Sequence, residues 1–286
     1  MLDFTSHMSL SWEQAVQWAR ETPAMRGLVE ICYYDDPIEA AAERFLRSEE
    51  WPAILSLLRI KPGDRVLEIG GGRGIISWAL AKTGCAVTVL EPDPSPLVGS
   101  GAIRSLCQAT SVPLTIVEDW GESLPFADMQ FDKVICRAVL HHARDLPDMC
   151  REIYRVLRPG GCFLAIKDHV ADDAQELEQF LSNHPLHHLY GGEHAFSFAD
   201  YVGALRGAGF KKLSHYGPFD HAISWSPQYS RDGIRTSLVR TLAKRLPMSV
   251  AKLLGDWNSM ARLYGWWLSK RSKVPGRPFS FLATKN

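Results

Sequence analysis

The sequence predicts an α/β fold: a doubly wound, seven-stranded sheet with helices ahead of it and two inserted caps. From residue 64 onward, short runs rich in β-branched residues alternate with helical patterns, the texture of a parallel sheet covered by helices. The composition agrees, because 286 residues that are 46% apolar and 22% charged suit one enzyme-sized core. They exclude a disordered chain, a collagen-like repeat and a multi-span membrane protein. Two connections, about 30 residues over 168–197 and about 60 over 218–278, far exceed the usual ~2–6 residues of a sheet connection and are read as caps.

Each element has its own signal. Residues 11–60 read as helices. Ser11 with Gln14 forms a capping box, and Asp36 is expected at an N-cap with Pro37 at the first helical position and Glu39 as box partner. Strands are expected at 65–69, 86–91, 114–119, 133–138 and 162–167, then at 211–217 and 279–285. Between them, 76–84 and 97–109 read as helices. Residues 145–161 begin at an Asp145 cap and stop at Pro-Gly-Gly. Ser197 with Asp200 starts another helix, which Gly209 closes. The resulting organisation is an N-terminal helical segment (1–60), an α/β core (61–217) with a cap at about 168–197, and a basic helical insertion followed by the last strand (218–286).

Basic and acidic side chains number 32 each, so no global field draws the chain to nucleic acid. Their distribution is uneven, and residues 223–286 hold 12 basic and 2 acidic side chains. The six cysteines lack a C-x-x-C pair and suit a reducing compartment. The opening MLDFTSHMSLSWEQ has no basic stretch followed by an apolar run, so the cytoplasm is expected, with peripheral membrane contact as an extension discussed below.

The sharpest motif is VLEIGGGRG (66–74). A strand ends in an acid, Glu68, and Gly70, Gly72 and Gly74 follow before a helix. Positions without side chains let the backbone turn tightly against a ligand, and the helix start offers unpaired N–H groups. The dinucleotide pattern G-x-G-x-x-G is not met, because residue 75 is isoleucine, which opposes a nicotinamide-dependent oxidoreductase. The motif resembles that of class I S-adenosylmethionine-dependent methyltransferases, and further matches follow in order. Glu91 ends the second strand 23 residues after Glu68; Asp119-Trp120 lead into SLPF (123–126); FDKVICRAVLHH (131–142) and REIYRVLRPGG (151–161) complete the set. The type-11-like subgroup is the nearest in pattern, over about residues 55–215.

The resemblance implies a Rossmann-like methyltransferase sheet and S-adenosyl-L-methionine as cofactor. It implies that the glycines cradle the cofactor, that Glu91 takes both ribose hydroxyls, and that Asp119 and Trp120 meet the adenine, with Glu122 as the competing acid. Arg73 and Arg137 are open to two readings, the ligand's carboxylate or the solvated rim of the sheet. Glu68 is expected to order the glycine loop near the sulfonium end. One carboxylate offers two acceptor oxygens to two vicinal hydroxyls, which suits Glu91 to its place.

For the transfer itself, His141, His142 and His169 follow strands four and five and are candidates for a base that removes a hydroxyl proton, beside a loop-fixing role. His184, His187, His188, Glu193 and His194 contain ligand types that zinc accepts, but no H-E-x-x-H is present; the segment is read as a cap over the acceptor, and no metal is expected. Residues 231–273 alternate basic residues with Leu, Val, Trp and Tyr. They suit either an anionic membrane face, a phosphate-bearing acceptor, or helices that pack their apolar side on the domain. The expected activity is O-methylation of a small-molecule or lipid-linked acceptor; the alternative is a catalytically silent scaffold of the same fold. Nucleic-acid methylation is disfavoured, because no Asn/Asp-Pro-Pro-aromatic motif follows strand four.

Overall fold

The computed structural model describes residues 10–286, so the stretch read for a leader lies largely outside the described residues. Four helices come first: α1 (Trp12–Glu21), α2 (Arg26–Ile31), α3 (Ile38–Leu46) and α4 (Glu50–Leu58). The core follows as β1 (Arg65–Ile69), α5 (Ile75–Lys82), β2 (Ala86–Leu90), α6 (Ser100–Thr110), β3 (Thr115–Val117), β4 (Phe131–Arg137), α7 (Leu146–Val156) and β5 (Leu157–Val170). The first cap holds α8 (Ala174–Asn183) and α9 (His187–Tyr190), and α10 (Phe198–Gly207) leads into β6 (Lys212–Tyr216). The second insertion is α11 (Ala222–Trp225), α12 (Arg231–Leu242), α13 (Met248–Gly255) and α14 (Asn258–Arg271), before β7 (Arg277–Thr284).

The seven strands form one sheet in the order β3-β2-β1-β4-β5-β7-β6. The sheet is mixed rather than wholly parallel, because β7 runs antiparallel to both β5 and β6. Alternate residues of the central strands feed two cores. Leu67, Ile69, Val134, Cys136, Phe163 and Ala165 pack on the side of α7 and α10. Val66, Val87, Ile135, Leu164 and Ile166 pack on the side of α3 to α6 and α11. A strand buried on both faces is apolar at most positions, with the exceptions here, such as Glu68 and Asp168, paired inside the fold, which is why these runs read so clearly in the sequence.

The capping residues act as expected at Ser11, Asp145 and Ser197, whose side chains accept from the N3 backbone N–H. The Asp36 cap is a correction. Helix α3 starts at Ile38 without a side-chain cap, because the Asp36 carboxylate is taken by Arg73 and Arg20.

The N-terminal helices and the first cap form one roof. Ala15, Ala19, Met25 and Val29 bury themselves against Leu186 and Leu189, the Leu10 N–H donates to the Leu189 carbonyl at 3.2 Å, and Trp12 packs on Tyr190 at 4.7 Å between ring centroids. Segments more than 150 residues apart in the chain thus close over the C-terminal ends of β1, β2, β4 and β5, where open sheets place their ligands.

In the second insertion α12 buries Ile234 and Leu238 as an amphipathic helix does, but the last two helices invert that pattern. α13 buries Ala251 and Gly255 while Met248, Val250 and Leu253 are exposed, and α14 buries Ala261, Gly265 and Ser269 while Leu263, Trp266 and Trp267 are exposed. At Gly265 a Cβ would lie 2.3 Å from the Phe219 carbonyl oxygen, so the small side faces inward for lack of room. For α13 and α14 this corrects the reading in which the helices pack their apolar side on the domain; for α12 that reading stands. No described helix is long and apolar enough to cross a membrane.

Candidate active site

Under the roof lies a cavity of about 430 Å³. Its floor is the hairpin after β1. Gly70 and Gly72 have φ of +65° and +52°, left-handed conformations that glycine adopts without strain. The hairpin is also tight, because a Cβ on Gly70 would lie 2.5 Å from a Val139 methyl. Gly72 donates its N–H to Glu91 Oε2 at 2.7 Å, and Asp93 N donates to Glu91 Oε1 at 3.0 Å. Glu91 directly follows β2, lines the cavity and is buried, and the loss of water lifts its carboxyl to about 7. Glu68 faces the other side of the hairpin. Its Oε2 accepts from the N–H and hydroxyl of Ser77 at the start of α5, and burial pushes it up to about 8.

The other expected residues divide. Gly70, Gly72, Glu68, Glu91, Trp120 and Arg137 line the cavity, as do His141, His142 and His169. Asp119 and Gly74 do not. Asp119 Oδ1 accepts from Trp120 N, and Gly74 packs under Ile103 as the residue before α5. Glu122, the competing acid, does line it and accepts from Arg144 N at 2.8 Å. Trp120 stands at the exposed rim under the Arg144 guanidinium.

Neither arginine is a solvated rim residue. Arg73 is buried and donates from Nη1 to the carbonyls of Tyr33 and Asp35, both at 2.7 Å, and from Nη2 to Asp36 at 2.5 Å; it pins the loop before α3 onto the glycine hairpin. Arg137, at the end of β4, donates to Glu50 at 2.8 Å, and Lys167 donates to the same carboxylate at 2.6 Å. The two cations hold the fully buried Glu50 below the usual carboxylate range, while burial and Arg137 hold Lys167 down at about 8. Glu50 escaped the sequence reading because it lies in a helix start with no motif around it.

At the opposite end of the cavity a histidine cluster is assembled from three segments. His141 and His142 occupy a 3-10 turn after β4, His169 lies near the end of β5, and His184 and Glu193 come from the first cap. His141 Nδ1 meets Asp168 Oδ1 at 3.0 Å, His142 Nδ1 meets the Gly192 carbonyl at 3.2 Å, and His169 Nδ1 meets the Gly276 carbonyl at 2.7 Å. Carboxylates and carbonyls only accept, so each Nδ1 carries a hydrogen and each Nε2 is left toward the cavity side. Asp168 Oδ1 also accepts from the backbone N–H of Val139 and of His141, which fixes the turn. Burial holds His169 down at about 3, whereas the Asp168 and Glu193 carboxylates overcome burial and lift His141 to about 9. Asp168 was missed although it stands next to His169 in the sequence; a strand residue gives no sign of which turn it will support.

A family model described as a methyltransferase domain matches residues 67–165, the stretch that supplies the hairpin, Glu91 and the turn holding His141. Over these residues the core matches a methyltransferase domain. Among related sequences, an uncharacterized protein of Mycobacterium tuberculosis is 38% identical over 112 residues, 38% of this chain and 39% of that protein. A ubiquinone biosynthesis O-methyltransferase of Pseudomonas savastanoi is 35% identical over 35% of this chain and 42% of its own length. A sterol 24-C-methyltransferase of Gibberella zeae is 33% identical over 54% of this chain and 42% of its own. The matches thus span less than half of these relatives. In structure, the chain is similar to a phosphoethanolamine N-methyltransferase of Haemonchus contortus, with a TM-score of 0.55 at 16% identity over 96% of this chain and 60% of that one. It is also similar to the [4+2]-cyclase SpnF, with a TM-score of 0.53 at 16% identity over 86% and 82%. These two likenesses concern the fold.

The methyltransferase cofactor is compatible with the residues present. The bare hairpin leaves room for a ligand where Cβ atoms would not fit, and a buried carboxylate beside it offers acceptors to vicinal hydroxyls.

Proposed function

We propose that the chain transfers the methyl group of S-adenosylmethionine to an oxygen of a small acceptor, free or lipid-linked. The observation that carries this reading is the two-ended cavity: hairpin and Glu91 at one end, imidazoles presenting Nε2 at the other. Bound cofactor supplies a methyl group on a sulfonium, already a strong electrophile. The protein's part is to hold the acceptor in line, an orientation that contributes about 7–11 kcal/mol in favourable cases, and to take the hydroxyl proton. His142 is the candidate for the second task, since the Gly192 carbonyl at its Nδ1 leaves Nε2 as the lone-pair nitrogen. Relatives named for ubiquinone biosynthesis and for sterol methylation support an acceptor of lipid character.

The second insertion supports the same character. Apart from Trp120 and Met129, the large exposed apolar side chains among the described residues all fall between Tyr229 and Val274. They share α12 to α14 and the adjoining loops with Lys244, Arg245, Lys252, Arg262, Lys270, Arg271 and Lys273. Exposed tryptophans with basic neighbours suit an anionic lipid surface, where each lysine or arginine contributes about 1 kcal/mol.

Calorimetric titration with S-adenosylmethionine and with NADH tests the core of the proposal. Binding of the first alone is expected, and binding of neither, or of NADH in preference, overturns it. Flotation with phosphatidylserine and phosphatidylcholine vesicles tests the lipid surface. Selective, salt-sensitive capture by the anionic vesicles is expected; absence of capture, with self-association on gel filtration instead, assigns the patch to a second copy of the chain.

A further inference from the structure

The sequence led to an expectation of no metal, but the acceptor end of the cavity has the makings of a metal centre. Nitrogen or oxygen atoms of His141, His169 and Glu193 all lie within 4.8 Å of one another, and all three side chains line the cavity. We propose that His141, His169 and Glu193 bind a divalent transition-metal cation of the zinc class, leaving open positions toward the cavity for an oxygen of the acceptor. The cation site stands on geometry alone; the role given to the acceptor oxygen rests on the methyl-transfer reading above.

Three observations carry it. First, the donor set is two imidazoles and one carboxylate, which zinc accepts in catalytic sites that keep a position free. Second, the imidazoles are oriented as metal-binding histidines are: His141 gives its Nδ1 hydrogen to Asp168 and His169 gives its own to the Gly276 carbonyl, so both face the centre with Nε2. Third, the carboxylate, whose Oε1 accepts from the Tyr190 hydroxyl at 2.7 Å, is ringed by imidazoles that stop short of hydrogen bonding. Glu193 Oε2 is 3.7 Å from His141 Nε2 and 4.0 Å from His142 Nε2, and Oε1 is 3.8 Å from His184 Nδ1. These gaps are too long for N–H···O bonds and close to the ~3.3 Å that separates donors around a tetrahedral ion with ~2.0 Å bonds. Closing the remainder takes a small movement of Glu193, whose backbone follows Gly191 and Gly192.

A cation here would bind the acceptor's oxygen and lower its pKa, so that the proton leaves to a neighbouring imidazole before the new O–C bond forms and the S–C bond breaks. His142, beside the triad and outside it, is placed to receive that proton.

The test is calorimetric titration of chelator-treated full-length protein with zinc chloride and with magnesium chloride, and the absorption spectrum of the cobalt(II)-loaded protein. One zinc per chain, much weaker magnesium binding and cobalt bands of nitrogen and oxygen ligation are expected. His169→Ala and Glu193→Gln should each weaken zinc at least 100-fold, Asp168→Asn by roughly 10- to 100-fold through the orientation of His141, and His215→Ala, in β6 and outside the cavity lining, not at all. Glu193→Gln keeps size and shape, and circular dichroism identifies any variant that fails to fold. Zinc bound equally by wild type and Glu193→Gln, magnesium bound as tightly as zinc, or no zinc binding by folded wild type overturns the proposal. S-adenosylmethionine titrated into the same samples separates the two readings: its binding should survive Glu193→Gln, and its absence from wild type would remove the methyl-transfer reading while leaving the zinc result intact.

Discussion

The two ends of the cavity are built on opposite plans. The cofactor end is built mainly from one short stretch: β1, its hairpin and the start of α5 lie within residues 65–82, and Glu91 just after β2 joins the hairpin through the Gly72 N–H. The acceptor end draws on the turn after β4, the end of β5 and the cap around Glu193, held by contacts such as His169 to the Gly276 carbonyl across more than 100 residues. The first is a local turn whose shape its own glycines dictate. The second exists only once the sheet and roof are complete, so its chemistry can change with the cap while the hairpin stays as it is.

The largest effect is expected where the two ends share a support. Glu50 holds Arg137, beside the hairpin, and Lys167, next to Asp168 and His169 in β5. Glu50→Ala leaves two buried cations without their counter-ion, a change that costs about 3–5 kcal/mol in comparable sites. Urea unfolding should show that loss, with both S-adenosylmethionine and zinc binding weakened. A loss confined to one ligand would show that the ends are supported separately.

The same contrast explains what could be read in advance. Strands β1, β2, β4 and β5 were legible because burial on both faces forces mainly apolar runs, and the caps at Ser11, Asp145 and Ser197 because a cap is decided within four residues. Asp36 misled because its best partner was not the nearby helix but Arg73, which lies 37 residues further on. The antiparallel direction of β7 was illegible, since alternation is the same in either sense. At the site, Gly70, Gly72 and Glu91 announce themselves by spacing. Glu193 looked like one polar residue among several in a cap, and nothing in its neighbourhood shows that His141 and His169 will face it. The basic helices were recognised by composition, yet which side they bury depends on close approaches made only in the fold, Gly265 of α14 to the Phe219 carbonyl and Gly255 of α13 to Val239 of α12.

A smaller effect would sharpen the division itself. Glu91→Ala should weaken S-adenosylmethionine at least tenfold, about 1.4 kcal/mol, and leave zinc affinity within twofold. Because burial lifts Glu91 to about 7, wild-type affinity for the cofactor should also fall as pH drops through that value, when the carboxylate takes up a proton and loses acceptor capacity. The variant should lack this step. Equal affinities in the two proteins at pH 8 would remove Glu91 from the cofactor site.

The smallest effect concerns Glu68, which separates the shaping of the hairpin from the charge placed beneath it. Its folded-state pKa of about 8 lies above the ordinary 4.5, so the native protein binds this proton more tightly than the unfolded chain does. The sign follows: the stabilisation from that proton is complete below about 4.5 and is lost as pH rises toward 8. Glu68→Gln keeps an oxygen to accept from Ser77 and cannot ionise, so thermal melts should find the variant less pH-dependent than wild type between pH 5 and 9. At pH 9 it should be the more stable protein by on the order of 1 kcal/mol, while at pH 5 the two should nearly coincide. If the carboxylate also serves a positively charged ligand, the variant should lose affinity for S-adenosylmethionine more than for uncharged S-adenosylhomocysteine at pH 9. Parallel losses for the two would leave Glu68 only its bonds to Ser77, and the cofactor end would then select its ligand by shape and by Glu91 alone.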